Sequence, residues 1–524
     1  MYVVIGSGPS GVACASAIVN AGVEVTLLDA GHTLEPERAA RKAAMAARDP
    51  AQWTAAEIAA ARTPIGPSGE IASKLDHGSD YPYRSAPGAA YVDNRGLGVR
   101  GSYALGGLSS VWGSALLPFR QEDMAGWPIS AGDLAQAQAA VLSMMPLSAE
   151  RDDLAEFFPL HSPPTDHAKK SEQVERLMGA MRHNRARLAA SGIHFGASRL
   201  AVRFGSRAGE RSCNYCGHCL HGCPRDLIYS SSQSLRNLLG TGKLTYIAGV
   251  TVKEIAEEEG KASVFGMGWD GAPHRLAAAR VFLAAGVLNS TEILLRSFGW
   301  YERTIDIADS QYYLFPLLQL VATSNVAAEK LHTLAQAFVE IIDDEISPYA
   351  VHLQIYSYND LLRDILRKKL GAARHVFPEN MLLGRFLLAQ GYLHSQHSGR
   401  IAFTLHKRAH ADRVVLRGVR QPDTRKIVLQ VLAKLWRAAP ALRAIPLTPL
   451  LQITEPGRGF HIGGSFPMNA APGSGQTDPL GRPFGWSRTH VVDASILPSI
   501  PATTITQTVM ANAYRIGHLA AALD

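Results

Sequence analysis

Residues 3–17 read VVIGSGPSGVACASA, and the fold assignment starts from them. Tyr2 to Ile5 predict a buried strand, Gly6 to Gly11 a tight turn, and Val12 to Ala21 a helix. The stretch VEVTLLDAG then predicts a second strand ending at Asp29. That order is the order of a βαβ unit. Gly6-Ser7-Gly8-Pro9-Ser10-Gly11 sits where a dinucleotide fingerprint belongs, after a strand and at the opening of a helix. Gly6 permits the turn, Gly8 lets backbone approach a pyrophosphate, and Gly11 allows close helix–strand packing. From Ser10 onward the helix N-terminus offers free N–H groups and a partial positive charge to that pyrophosphate. Asp29 follows Gly11 by 18 residues, placed to accept a hydrogen bond from a ribose hydroxyl. The fingerprint by itself leaves FAD and NAD open.

The rest of the composition is that of a large folded protein. A chain of 524 residues, 47% hydrophobic and 19% charged, can bury two or three ordinary cores and is not disordered. An apolar strand directly after Met1 leaves no room for a secretory leader. No apolar run is long enough to span a bilayer, since MLLGRFLLA from Met381 is short and interrupted by Arg385. The expected location is therefore the cytoplasm, with peripheral membrane contact as an extension of that reading. The net charge of +7 is uneven: residues 361–450 hold 17 Lys/Arg against 4 Asp/Glu, which leaves the remainder net negative.

Four of the five cysteines fall within CNYCGHCLHGCP, residues 213–224. Cys213-x2-Cys216-x2-Cys219-x3-Cys223-Pro224 reproduces the ligand run of bacterial ferredoxins. Disulfides are disfavoured by a reducing compartment and by crowding. A structural zinc site would bring two separated CxxC pairs rather than one contiguous run. An iron–sulfur cluster on Cys213, Cys216, Cys219 and Cys223 is the expectation, either as an electron wire or as a staple for the loop. Cys14, in the helix after the glycine turn, reads as a small core residue.

Further along, GGLSSVWGSALLPF (106–119), LAAGVLNSTEILLRS (283–297), GFHIGGS (459–465) and VVDASILPSIPATTITQTVMANA (491–513) resemble the glucose–methanol–choline (GMC) oxidoreductases. The resemblance covers both ends and a re-entrant middle and is weak over 305–455. It implies an α/β fold: a Rossmann-like FAD-binding domain from residues 1–130, 235–304 and 455–524, and a sheet-plus-helix substrate domain at 305–454. Residues 131–234 would form a helical segment carrying the inserted iron–sulfur loop. It also implies that Gly106, Gly107 and Ser109 line the flavin, that Val250 sits near its adenine end, and that Asp493 and Ala494 approach the pyrophosphate and isoalloxazine. His461 would face the flavin N5 and remove the hydroxyl proton while the carbinol hydride leaves, a role that suits an imidazole. The family's second His or Asn falls on Thr504, a departure, because threonine cannot share a proton as histidine does. His394 and His397 are candidate helpers, read more readily as loop histidines facing solvent.

The implied activity is an FAD-dependent dehydrogenase oxidising an alcohol, most plausibly on a sugar. Some flavin sugar dehydrogenases of the family carry three cysteines matching Cys213, Cys219 and Cys223; the extra Cys216 favours 4Fe-4S over 3Fe-4S. Electrons would pass to a protein or quinone acceptor. A redox-sensing flavoprotein, or a reductase or isomerase running the chemistry backward, is the alternative. DLLRDILRKKLGAARHVF (360–377) and TRKIVLQVLAKLWRAAPALR (424–443) read as basic amphipathic helices. They could meet an anionic membrane, attract a phosphate-bearing or lipid-linked substrate, or form a solvated face. No nucleic-acid module accompanies the charge.

Overall fold

In the computed structural model, Tyr2–Ile5 is buried on both faces, as a central parallel strand must be. It pairs in register with Val25–Leu28 on one side and Arg280–Leu283 on the other. Thr489–Val491 and Leu244–Ile247 complete a five-stranded sheet in which every pair is parallel. Three separated stretches of chain thus build one sheet. The description covers residues 1–62, 74–165, 167–205, 212–258, 260–358, 363, 382–409 and 411–523.

The first helix runs Pro9–Asn20, three residues earlier than the apolar pattern predicts, because Pro9 at its first turn has a φ already set for helix and no N–H to lose. It packs on the C-terminal helix Ile505–Ala521, where a Cβ at Gly517 would lie 2.8 Å from the Cys14 carbonyl. The Cys14 thiol is fully buried there, and burial pushes its pKa up. An antiparallel meander of Val250–Glu258, Lys261–Gly268 and Pro273–Ala278 flanks the parallel sheet.

A second sheet orders Ile462–Gly463, Thr304–Asp309, Arg400–His406, Arg413–Val419 and Tyr91–Asp93. A third runs from Ala444–Pro446 through Tyr312–Gln319, Phe386–Tyr392, Ser347–Tyr356 and Ala337–Asp343 to Ile193–Ala197, with Gln452–Ile453 paired beside Tyr312–Gln319. Tyr312–Gln319 alternates strictly between half-buried and buried residues, the mark of a strand with two different faces. Its buried face (Tyr313, Phe315, Leu317) shares a core with the helices Glu172–His183 and Thr424–Arg437.

That core uses the apolar stripe of the second basic stretch. Ile427, Val428, Val431, Leu432 and Leu435 are buried within the protein, so this stripe is not offered to a membrane. The first basic stretch, 360–377, lies outside the described residues apart from Arg363. Among the described residues no helix is long and apolar enough to cross a membrane.

Candidate active site

Two adjoining cavities lie where the parallel sheet meets the third sheet. The first, about 210 Å³, is lined by Gly6, Gly8, Ser10, Asp29, Val250 and Asp493, among others. Gly6 has φ of +99°, and a Cβ there would lie 2.5 Å from the Ala284 carbonyl oxygen, so the turn requires glycine. Gly11 lies outside the lining, its missing Cβ replaced by the Gly6 carbonyl, which is why helix and strand come so close. Gly8 differs: a Cβ there would meet no protein atom within 4 Å. The space beside it belongs to the cavity, below a helix N-terminus whose first N–H groups have no side-chain cap. An unfilled cradle against free N–H groups fits a pyrophosphate.

Asp29 ends its strand fully buried, its Oδ2 accepting from the Ser7 hydroxyl and, at 3.2 Å, from the Tyr246 hydroxyl. Burial pushes its pKa up to about 7 against the pull of those hydrogen bonds. Val250 lines the same cavity, and its N–H donates to the Asp29 carbonyl at 3.0 Å. Ser7 also accepts from the Gly106 N–H at 2.9 Å, tying the distant Gly106–Ser110 turn to the glycine turn. Gly107 lines the first cavity and Ser109 the second, whereas Gly106 lies behind the wall, where a Cβ would crowd Ser230. Ser109 donates to the Gly106 carbonyl and accepts from the Ser231 N–H.

Asp493 is spent on architecture. It accepts from the Gly286 N–H at 2.8 Å, the Ser290 hydroxyl at 2.5 Å and the Ser495 N–H at 3.0 Å. It thereby pins the start of helix Val287–Ser297 to the cavity wall. Ala494 lines the cavity too, its carbonyl accepting from Gly464 N–H two residues beyond Ile462.

The second cavity, about 550 Å³, is lined by both His461 and Thr504. It shares Pro9, Leu108, Phe460, Ile505 and Thr506 with the first, so one wall serves both. Tyr392 stacks on the His461 ring at 4.6 Å and fixes its plane. Burial, and then the neighbouring His352, push His461 down to about 3, so its imidazole is neutral at neutral pH. Phe460 just before it has a left-handed φ of +56°, an uncommon conformation for a large side chain and one concentrated at functional sites. Thr504 caps the C-terminal helix, and its Oγ1 accepts from the Leu117 N–H at 2.7 Å.

His394 and His397 do not line either described cavity. His394 is buried rather than solvent-facing, because its ring stacks on Tyr349 at 3.7 Å and accepts from the Gln396 N–H. His397 lies 2.9 Å from the Ser347 hydroxyl. Sequence reasoning missed the wall built by Tyr312, Gln354, Tyr356, Gln390 and Arg458. The apolar run YYLFPLLQ predicts a strand but does not alternate in polarity, so only the structure shows its two faces. Behind this wall Glu340 and His352 form a fully buried pair at 2.6 Å, which continues through Gln354 to the Tyr356 hydroxyl.

The cysteine loop abuts the same cavity. Leu220 lines it, and so does Lys74, whose Nζ donates to the Trp112 carbonyl at 2.6 Å and feels Cys219 and Cys223. The expected iron–sulfur site finds no support in the arrangement of these residues, however. Among the described residues no three His, Cys, Asp or Glu side chains are arranged to hold a metal ion. All four thiols are half-buried and form no disulfide, and burial pushes Cys213 and Cys216 up to about 12.

A layered α/β protein with a glycine-turn cavity sharing a wall with a histidine-bearing cavity is a dinucleotide-dependent oxidoreductase in outline. The chain belongs to the GMC oxidoreductase family: the family's N-terminal profile matches residues 55–303 and its C-terminal profile residues 428–513. FAD is the cofactor this membership supports. Solved structures with the same fold include pyridoxine 4-oxidase from Mesorbium loti, at 14% identity and TM-score 0.61, covering 99% of this chain and 98% of that one. A formate oxidase matches at 14% identity and TM-score 0.59, covering 100% and 98%. A variant formate oxidase of Aspergillus oryzae RIB40 matches at 14% and 0.60 with the same coverage. No curated protein sequence matches the chain.

Proposed function

We propose that the protein is an FAD-dependent dehydrogenase that oxidises an alcohol group of a sugar or sugar derivative. The observation that carries the reading is His461 on the wall of a 550 Å³ cavity that shares Phe460 and Ile505 with the glycine-turn cavity. When bound, FAD accepts the hydride from the carbinol carbon. His461, neutral because it is desolvated, takes the hydroxyl proton, and the carbinol becomes a carbonyl. Thr504 accepts from the Leu117 N–H, which leaves its own hydroxyl proton to donate to the substrate oxygen. Tyr392 holds the imidazole plane so that the transfer needs no reorganisation.

Anaerobic mixing of the FAD-loaded protein with a panel of sugars and alcohols tests this. Substrate-dependent flavin bleaching is expected, and a panel that leaves the flavin oxidised would sink the reading. For the electrons' exit, the spacing of Cys213, Cys216, Cys219 and Cys223 supports a four-iron cluster serving a protein or quinone acceptor. Among the described residues no three His, Cys, Asp or Glu side chains are arranged to hold a metal ion. Iron and acid-labile sulfide, measured on anaerobically prepared protein, decide the matter; absence of both removes the cluster.

A further inference from the structure

The substrate cavity is polar at one end and apolar at the other. Its floor is one face of the third sheet, where Tyr312 opposes Tyr392, Leu314 opposes Gln390, Pro316 opposes Leu388, and Leu318 opposes Phe386. The first pair lies beside His461. Along these two strands the pairs run from two tyrosines, through one glutamine, to side chains with no polar atom, while the neighbouring strand adds Gln354 opposite Gln390 and Tyr356 opposite Leu388. At about 3.4 Å per residue, the six steps from Tyr392 to Phe386, both on the lining, span roughly 20 Å, with Leu318 itself outside the lining. Leu383 and Leu450 close over the far end.

Part of that lining reaches the surface. Leu450 lines the cavity and is also 42% exposed. Leu320 and Val321, one and two residues past the strand end at Gln319, are 50% and 56% exposed. Arg385 holds the Leu320 carbonyl at 2.6 Å, and the Leu320 N–H donates to the Arg443 carbonyl. The apolar floor thus continues onto an exposed apolar rim with two arginines beside it. A cavity built for a free sugar would carry hydrogen-bonding side chains along its length, because each buried hydroxyl left unpaired costs about 1–3 kcal/mol.

We propose that the substrate is an amphiphile. Its alcohol-bearing head occupies the polar end at His461 and Tyr392, and a linear apolar chain lies over Leu314, Pro316, Leu388 and Phe386 and leaves past Leu450. The proposal rests on the dehydrogenase reading for what happens at the head, and on the floor alone for the chain.

The test uses the FAD-loaded protein and straight-chain primary alcohols from ethanol to dodecanol below their aggregation limits. Binding is read by displacement of a dansyl-labelled dodecyl probe, and turnover by anaerobic flavin reduction. Affinity should rise roughly fourfold per methylene, as burial of each CH₂ predicts, until the chain reaches the rim. Leu388→Gln should flatten that dependence and weaken dodecanol binding at least tenfold while FAD stays bound. Leu450→Asp, at an exposed position that cannot compromise folding, should weaken only the longest chains. Affinity independent of chain length overturns the proposal, even if short alcohols or sugars bleach the flavin. Length-dependent binding without flavin reduction supports the chain site and instead counts against the oxidation reading.

Discussion

Gly8→Ala separates cofactor binding from folding more cleanly than any other change in the molecule. Gly8 has φ −62° and ψ 174°, values an alanine adopts without strain, and its Cβ would meet no protein atom within 4 Å. On those grounds the substitution should leave the apoprotein intact and even stabilise it by about 0.4–1 kcal/mol, by removing freedom from the unfolded chain. The methyl group instead enters the cavity beneath the open N-terminus of helix Pro9–Asn20. Displacing a phosphate from one charge-assisted hydrogen bond there costs about 1.5–3 kcal/mol, which is roughly ten- to a hundredfold in FAD affinity. Gly11→Ala is the contrast: its Cβ would collide with the Gly6 carbonyl, so that variant should lose folding stability, by about 1–3 kcal/mol or more. Urea unfolding of the flavin-free proteins and fluorescence titration with FAD give both quantities. Should Gly8→Ala bind FAD as tightly as the parent, or unfold as Gly11→Ala does, the placement of the pyrophosphate at this turn is wrong.

His461→Ala should retain FAD and lose substrate-driven flavin reduction by about two to four orders of magnitude, as removal of a general base does; stopped-flow bleaching reads it. Since His461 is active when neutral and sits near pKa 3, the reduction rate should show no acid limb near pH 6.5, falling only as pH approaches the lowered value. A limb at 6.5 that vanishes in a His461 variant would contradict this. His332 is fully buried beside Phe204, and burial pushes it to about 3. Between pH 6.5 and 3 the unfolded chain binds a proton at this residue that the folded one refuses, so its contribution lowers stability as pH falls. His332→Leu should therefore gain about 2 kcal/mol on the parent at pH 5 relative to pH 8, at 1.36 kcal/mol per pH unit below 6.5. Equal differences at the two pH values in urea melts would refute it. Asp493→Asn with its oxygen in the Oδ2 position keeps an acceptor for Gly286 and Ser290 but turns an amide toward the Ser495 N–H, so a loss of about 1–3 kcal/mol is expected in the same melts.

The parts legible in sequence are those whose geometry is set by neighbours along the chain. The Gly6–Gly11 turn, the strand before it and Asp29 at the end of the next strand need only local backbone rules and one parallel crossover. The family segments around His461 and Asp493 are legible for a related reason, since glycine spacing encodes close backbone approach. Helix Thr424–Arg437 shows the limit. Its amphipathic pattern was correct, but the same pattern serves a membrane surface and a protein core, and only the sheet beneath it decides which. His394 shows it again, because nothing in YLHSQHSG says that Tyr349 will stack on the ring.

By itself, then, the amino-acid order determined the glycine turn, the position of His461 beside two glycines and the grouping of four thiols in one loop. Tertiary structure alone decided that strands 2–5, 25–28, 244–247, 280–283 and 489–491 share one sheet, and that Tyr312, Leu388 and Gln354 share one floor. It also sets how the four cysteines of one loop stand to each other, and among the described residues no three His, Cys, Asp or Glu side chains are arranged to hold a metal ion. The physical reason is range. Turn and cap geometry follow from steric rules between near neighbours, whereas a cavity wall exists only after distant strands have paired in a register chosen by which faces they bury.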